Sequence, residues 1–236
     1  MPRVESVARV PATLFAFVPV ALACGLPRDA AGTLDRVTNG VVRVGYAIQS
    51  PWITDNGAVP GGIEAKLASD IAASVGARIV WIQRPEADLM HALHERELDL
   101  VISGLTQESA WSAEAAFTTS YYTDTIVVSA PRGSAAPSSV NNARVAILPG
   151  DPVAALIRKK SGVPVIRRDI GATQLPSAQH VWEVDQTGRE STGLILAESK
   201  RVLAVPPGEN AWLVHVEKIL SSRKDRIPML LRASHR

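Results

Sequence analysis

The fold is decided by a strand, a helix and a second strand that follow one another closely. They read VVRVGYAI at 41–48, IEAKLASDIAASV at 63–75 and RIVWI at 78–82. Apolar residues recur at every fourth position of the middle segment, which predicts one apolar helix face made of Ile63, Leu67, Ile71 and Val75. The flanking segments are rich in β-branched residues, which favour strands. This unit predicts two parallel strands joined by a right-handed crossover.

The same alternation continues along the chain. A helix is predicted over 85–97 and a third strand over 98–103, so the fold class is α/β. The stretch 131–142 is rich in Pro, Gly and Ser and predicts a crossing between domains, after which a second α/β unit begins near 143. Parallel sheets bind ligands at the carboxyl ends of their strands. Here those ends are 49–52 and 103–106.

The predicted domain organisation has six parts. Residues 171–190 show no clear period, so a short, reduced second lobe is expected. The parts are a signal peptide (1–23), a tether (24–40), lobe 1 (41–130), a crossover (131–142), lobe 2 (143–200), and a return segment with a C-terminal helix (201–236).

The N-terminal segment predicts export. Arg3 and Arg9 precede an uncharged stretch from Val10 to Ala23, which is too short for a helix that spans a bilayer core of roughly 30 Å. It ends in ALAC at 21–24, which resembles the lipobox of bacterial lipoproteins and implies a lipid on Cys24. The alternative is cleavage at an A-x-A site that leaves Cys24 as a free thiol. Either way the mature chain is expected outside the cytoplasm.

The composition excludes several classes of protein. The chain of 236 residues has 25 Lys and Arg against 23 Asp and Glu, and 46% of it is hydrophobic, which argues against disorder and against nucleic-acid binding by bulk charge. One Cys excludes a disulfide framework or a Cys-based zinc cluster. There is no catalytic signature, phosphate loop or Cys/His ligand spacing, so we expect no cofactor and no metal.

Five stretches together resemble the bacterial solute-binding proteins of family 3, although each alone is weak. Residues 62–68 resemble the family pattern G-F-D-V-D-L-A, and 98–106 resemble G-x-x-D-x-x-x-x-G-x-T. The other matching stretches are 42–52, 117–122 and 145–150.

The resemblance implies a type II periplasmic-binding fold with two lobes, each a mainly parallel sheet flanked by helices. It also implies a monomeric receptor, in the periplasm or on the outer face of the cell membrane, that passes a small solute to an ABC transporter permease.

Two departures from the family pattern bear on the ligand. The arginine expected five residues after Thr106 is replaced by Trp111, and the Thr or Ser expected after Gly150 is Asp151. Both changes remove contacts to a carboxylate, which costs on the order of 3–5 kcal/mol. We therefore expect a small polar or cationic organic solute, held by cation–π contacts to Trp52 and Trp111. The expected ligand-binding residues are Trp52, Ser103, Gly104, Thr106, Trp111, Gly150, Asp151 and Glu198.

Other interpretations remain open at this point. Asp151 before Pro152 is also a good helix N-cap, Trp52 and Trp111 could pack against neighbouring structure, and Glu198 could be a solvated strand end. An enzyme on the same fold, similar to a dehydratase or a transglycosylase, would need acids such as Glu198, Asp151 and Glu108. A sensor lipoprotein with a degenerate cleft is the third possibility.

Overall fold

Two five-stranded sheets form the framework of the computed structural model, which describes residues 29–135 and 137–234. The strands are β1 (Val41–Tyr46), β2 (Arg78–Gln83), β3 (Leu100–Ile102), β4 (Ala116–Phe117), β5 (Tyr122–Pro131), β6 (Arg144–Ile147), β7 (Val163–Ile166), β8 (Ser177–His180), β9 (Arg189–Arg201) and β10 (Ala204–Val205). The helices are α1 (Thr33–Val37), α2 (Ile63–Ser74), α3 (Glu86–His94), α4 (Val153–Lys159), α5 (Val181–Val184), α6 (Asn210–Ser221) and α7 (Ile227–Ala233).

The first sheet has the strand order β2-β1-β3-β10-β4 and carries helices on both faces. Successive side chains of a strand point to opposite faces of the sheet, so the core has two parts. Leu100 and Ile102 pack with the apolar face of α2, whereas Val101 packs with Leu89 and Leu93 of α3. β1 pairs in parallel with β2 and β3. The strand–helix–strand unit predicted over 41–82 is therefore confirmed.

The second sheet has the order β7-β6-β8-β5-β9 and its own apolar cluster. Both sheets are mixed rather than mainly parallel, because two pairings in each are parallel and two are antiparallel. The antiparallel pairings arise where the chain returns from one sheet to the other. The second sheet has as many strands as the first, so it is not reduced in strand number.

The passage between the sheets is made by two long antiparallel strands, β5 and β9, which pair from Tyr122 with Arg201 to Pro131 with Arg189. The crossing was predicted at 131–142, a segment that instead follows β5 and leads into β6 within the second sheet. The Pro- and Gly-rich segment forms the connection at the far end of β5. The chain passes between the lobes as a continuous strand, which needs no Pro or Gly.

The N-terminal part of the described chain is folded against the first sheet rather than extended as a tether. Glu209 accepts hydrogen bonds from the N–H groups of Ala31 (2.9 Å) and Thr33 (3.1 Å), and Asp29 accepts one from Leu34 (2.6 Å). These carboxylates satisfy the free N–H groups at the start of α1. The predicted tether therefore ends by residue 29. The predicted signal peptide and Cys24 lie outside the described residues.

No helix in the described ranges is long and apolar enough to cross a membrane.

Candidate ligand-binding site

A cavity of about 690 Å³ lies between the two sheets. One wall is the segment 49–52 after β1, and the opposite wall is formed by the segments that follow β6 and β7 and by β8 with α5. Asp124 and Ile126 of β5 and Ser199 and Arg201 of β9 also line it. The ends of parallel strands thus meet the crossing strands at one cleft, as expected for ligand sites of α/β sheets.

The charged lining of the cavity is mostly acidic. Its carboxylates are Asp124, Asp151, Asp169 and Glu183, and its arginines are Arg168 and Arg201. Asp151 accepts the N–H of Val153 through Oδ1 (2.9 Å), and Asp169 accepts the N–H of Ala172 in the same way (3.2 Å). Within the described residues, the Oδ2 atom of each of these two aspartates has no hydrogen-bond partner. Both atoms are available to a solute.

Asp124 joins His180 and Arg201 at the inner end of the cleft. Its Oδ1 lies 2.7 Å from Nδ1 of His180, and its Oδ2 accepts Nη2 of Arg201 at 2.8 Å. Burial alone would raise the pKa of Asp124, but the His180 and Arg201 hydrogen bonds and charges hold that pKa below its ordinary value. This carboxylate is therefore ionised at neutral pH.

The face of Trp52 is covered by the protein itself. The guanidinium carbon of Arg201 lies 4.5 Å from the Trp52 ring centroid, and Tyr121 and Tyr122 pack within 6.3 Å and 5.8 Å of it. Only 2% of Trp52 is exposed. The expected cation–π contact thus exists, but its cation is Arg201 rather than a solute.

The loop after β3 is held by polar contacts to both backbone groups of one residue, Gly104. The N–H of Gly104 donates to Oε2 of Glu64 (3.1 Å), and its carbonyl accepts Nη1 of Arg201 (2.7 Å). Glu64 is buried in the first turn of α2. The loop therefore connects the buried Glu64 to Arg201, which lines the cavity.

Four predicted ligand residues, all in the loop that follows β3, lie away from the cavity lining. Ser103 donates to Oε2 of Glu86 (3.0 Å) and the indole N–H of Trp111 donates to Oε1 of the same carboxylate (2.8 Å). The N–H of Thr106 donates to Ser109 (3.2 Å), and Gly104 is bonded as described above. The Ser103 hydroxyl, the Trp111 indole and the N–H groups of Gly104 and Thr106 are thus bonded within the first lobe rather than offered to a solute.

The remaining predicted residues divide between the lining and the surface. Trp52 and Asp151 line the cavity, and Asp151, which precedes the N-cap residue Pro152, also accepts the N–H of Val153 at the start of α4. Gly150 and Glu198 are exposed and do not line it, and neither does Glu108, the third acid considered for an enzyme. Asp151 is the one predicted acid that faces the cleft.

Sequence reasoning missed Asp124, His180 and Arg201. Each is distant in sequence from its partner, by 56 residues for Asp124 and His180 and by 77 for Asp124 and Arg201. The one available signal was that Asp124 and Arg201 are charged residues near the ends of two long strands, β5 and β9. This signal becomes informative only once β5 and β9 are known to pair. In the described ranges, no group of three or more His, Cys, Asp or Glu side chains could hold a metal ion.

The comparisons with known proteins agree with this architecture. The L-cystine solute receptor of Neisseria gonorrhoeae in the unliganded open conformation is similar with a TM-score of 0.66 at 14% identity, over 84% of this chain and 96% of that one. An ancestral cationic amino acid solute-binding protein is similar with a TM-score of 0.64 at 16% identity, over 85% and 98%.

The probable amino-acid ABC transporter extracellular-binding protein ytmK from Bacillus subtilis gives a TM-score of 0.57 at 12% identity, over 81% and 95%. At these identities the likeness shows the fold, a type II periplasmic-binding fold. No match was found among curated proteins. The family model of the bacterial extracellular solute-binding proteins, family 3, matches residues 42–226, and the chain therefore belongs to that family.

Proposed function

We propose that this protein is the solute-binding component of an ABC-type uptake transporter and that it binds a small cationic organic solute between its two sheets. The charge of the cavity carries the proposal, because four carboxylates line it against two arginines. A concave, enclosed site strengthens the attraction between such a surface and a ligand of opposite charge.

Two of these carboxylates are the expected contacts for the cationic group. Asp151 and Asp169 line the cavity, and each uses one oxygen for a backbone N–H while the other has no hydrogen-bond partner among the described residues. Asp124 has no such oxygen, because His180 and Arg201 occupy both of its oxygens. A primary amine or a guanidinium would therefore bind at the wall formed by the second sheet.

The family supports a place outside the cytoplasm and a permease as the partner in the membrane. We further propose that a lipid on Cys24 anchors the domain to the outer face of the membrane, and that the receptor acts as a monomer. A palmitate-labelling experiment with a Cys24→Ala variant tests the anchor, because the variant should lose both the label and the membrane fraction.

Calorimetry and thermal shift with agmatine, putrescine, arginine and glutamate test the ligand class. The cations should bind with a stoichiometry near one, and glutamate should not bind. Asp151→Asn and Asp169→Asn should each weaken agmatine binding about tenfold, equivalent to about 1.4 kcal/mol. The amide oxygen of asparagine can still accept the N–H that each aspartate accepts, so folding should be retained.

Asp55→Asn is the matched control, because Asp55 also accepts one backbone N–H, from Gly57 at 2.9 Å, but does not line the cavity. Its agmatine affinity should equal that of the wild type. Tight binding of glutamate without binding of any cation would contradict the proposal. Binding of none of these solutes would favour the sensor interpretation.

One contact favours a second candidate function, an enzyme on the same fold. The Asp124 carboxylate holds Nδ1 of His180 at 2.7 Å, which is how a carboxylate orients an imidazole for proton transfer. Recovery of unchanged agmatine or arginine after long incubation would favour the receptor. A product detected by mass spectrometry, and lost in a His180→Gln variant, would favour the enzyme.

A further inference from the structure

We propose that His180 contacts the bound solute through Nε2, and that protonation of its ring switches the inner end of the cleft from accepting a cationic N–H group to repelling it. This inference rests on the proposed function and deepens it. It names the residue that selects ligand charge.

The position of His180 permits the contact. It is the last residue of β8 and the N-cap of α5, and it lines the cavity beside the two crossing strands. About a third of its side chain (32%) is exposed, whereas its partner Asp124 is 2% exposed. The imidazole is therefore accessible from the cleft, but the carboxylate behind it is not.

Two contacts fix the orientation of the ring. Nδ1 lies 2.7 Å from Asp124, and the ring stacks on Trp182 with centroids 5.4 Å apart and planes at 23°. Asp124 is ionised and accepts only, so Nδ1 carries a proton in either charge state. Nε2 has no hydrogen-bond partner among the described residues. It is therefore the atom that can change its role, as an acceptor when the ring is neutral and as a donor when it is protonated.

The protonation state of the His180 ring sets the net charge at the inner end of the cleft. Asp124 of β5 and Arg201 of β9 form an ion pair at 2.8 Å, so their charges cancel. Glu183 of α5 also faces His180, and its Oε2 accepts the backbone N–H of His180 at 3.0 Å. The more distant charged groups of the lining are Asp151, Asp169 and Arg168. Protonation of His180 therefore changes the net charge at the inner end by one full unit.

The ring titrates in a useful range of pH. Burial would lower the pKa of His180, but the hydrogen bond and charge of Asp124, with Glu183, raise that pKa above its ordinary value of 6.5 despite the opposing charge of Arg201. Alkyl amines and guanidinium groups stay protonated across this range, so the solute itself does not titrate. Any change in affinity near neutral pH is then caused by titration of the protein and not of the solute.

The test is agmatine binding by calorimetry at pH 8.5 and pH 5.5. Because the pKa of His180 is raised, the ring is mostly protonated at pH 5.5, and the dissociation constant should rise about tenfold or more. His180→Gln should bind agmatine at pH 8.5 within about fivefold of the wild type, because an amide oxygen still accepts at the same place. Its dissociation constant should lose most of this pH dependence, and what is left would come from Glu64 behind Arg201.

His91→Gln is the control, because His91 is exposed on α3 and lies outside the cavity. It should keep the full pH dependence. Circular dichroism at both pH values checks that every variant is folded. A ring titration by NMR gives a second readout, since saturating agmatine should lower the pKa of His180.

The outcomes separate the two proposals. Agmatine binding with equal affinity at both pH values, a His180→Gln variant with the wild-type pH dependence, or a His180 pKa that agmatine does not move would overturn this inference and leave the proposed function standing. Failure of every cation to bind at either pH would overturn both.

Discussion

The phenol of Tyr121 donates a hydrogen bond to Oε1 of Glu64 at 2.6 Å, and both side chains are buried. The second oxygen of Glu64 accepts the N–H of Gly104 (3.1 Å), so one carboxyl group ties α2 both to the loop after β3 and to the residue that precedes β5. Burial raises the pKa of Glu64 to about 7, although the Tyr121 and Gly104 hydrogen bonds and the charge of Arg201 act to lower it. Glu64 therefore binds and releases a proton near neutral pH, at the point where α2, the loop after β3 and the start of β5 meet.

This carboxyl group predicts a loss of stability as the pH rises. The folded protein keeps a proton on Glu64 that the unfolded chain has released above its pKa of 4.5, so the stabilisation is complete below pH 4.5 and is lost as the pH approaches about 7. The loss should be about 3 kcal/mol. Urea unfolding between pH 5 and 8 measures it.

Glu64→Gln should remove most of this slope, because the amide oxygen can accept the Gly104 N–H while the amide N–H donates to Tyr121. The raised pKa of His180 adds a slope of the same sign, which the variant retains. Glu97→Gln, at an exposed acid whose nearest cation is Arg84 at 3.5 Å, should keep the wild-type slope. An unchanged slope in Glu64→Gln would show that Glu64 is ionised in the folded protein.

Gly62 lets α2 begin directly against the backbone of the cleft wall. Its φ is +92°, and a Cβ atom there would lie 2.4 Å from the carbonyl oxygen of Trp52. Gly62→Ala should destabilise the protein by about 3 kcal/mol or more, because strain in φ adds to a clash that backbone atoms cannot avoid.

Gly57→Ala isolates the clash from the strain. Gly57 also has a positive φ (+82°), but a Cβ there would meet no atom within 4 Å. Its cost should be about 1 kcal/mol, measured by the same unfolding experiment. Equal losses in the two variants would mean that the contact with Trp52 relaxes without cost.

Arg189 is buried and has no acidic partner among the described residues; it donates to five oxygens that include the carbonyls of Ile170, Thr173 and Leu175. These carbonyls belong to the loop between β7 and β8, whose first part lines the cavity. Arg189→Lys should cost about 2–4 kcal/mol, because an ammonium cannot reach carbonyls spread around a planar guanidinium.

Hydrogen exchange locates this effect. The amides of residues 168–176 should exchange faster in Arg189→Lys, while those of α2 should not change. Arg158→Lys, at an exposed position on α4, is the control and should leave both regions unchanged. Slow exchange across 168–176 in the Arg189 variant would show that other contacts hold the loop.

Most of the first lobe could be predicted because its signals are local. The four-residue spacing that begins at Ile63 is produced by contacts within one helix, and the β-rich runs at 41–48 and 98–103 stand beside it in sequence. β8 carried no such signal. Its residues read SAQH, and two of them, Ser177 and Gln179, bond the hydroxyl of Ser129 in the buried interior of the second sheet. A strand stabilised by buried polar contacts has neither the alternation nor the β-branched composition on which prediction depends.

The candidate site was predicted only where it follows the ends of parallel strands. Trp52 was singled out in this way, whereas Asp151 was singled out because it departs from the family pattern after Gly150. The inner end of the cleft depends on β5 and β9, and residues that meet across such strands have no fixed spacing in the sequence. The aromatic hypothesis was incomplete for a related reason, since no local pattern indicates that Arg201 covers the ring of Trp52.

Removal of Arg201 should therefore improve cation binding while it weakens the fold. Arg201→Met leaves Oδ2 of Asp124 and the carbonyl of Gly104 without a donor, which should cost about 1–3 kcal/mol of stability. The same change exposes the face of Trp52 and makes the cavity more negative. A cation–π contact contributes about 0.5–2 kcal/mol, so agmatine should bind about tenfold more tightly at pH 8.5.

Arg168→Met is the matched comparison, because it also removes one positive charge from the lining but uncovers no ring. It should strengthen agmatine binding by only a few fold. Calorimetry on both variants, with unfolding curves to confirm that each is folded, separates the general effect of charge from the specific effect of Trp52. If Arg201→Met binds agmatine no more tightly than Arg168→Met, then the arginine does not compete with the solute for the aromatic face, and its function at the inner end of the cleft is to hold Asp124 and Gly104 in place.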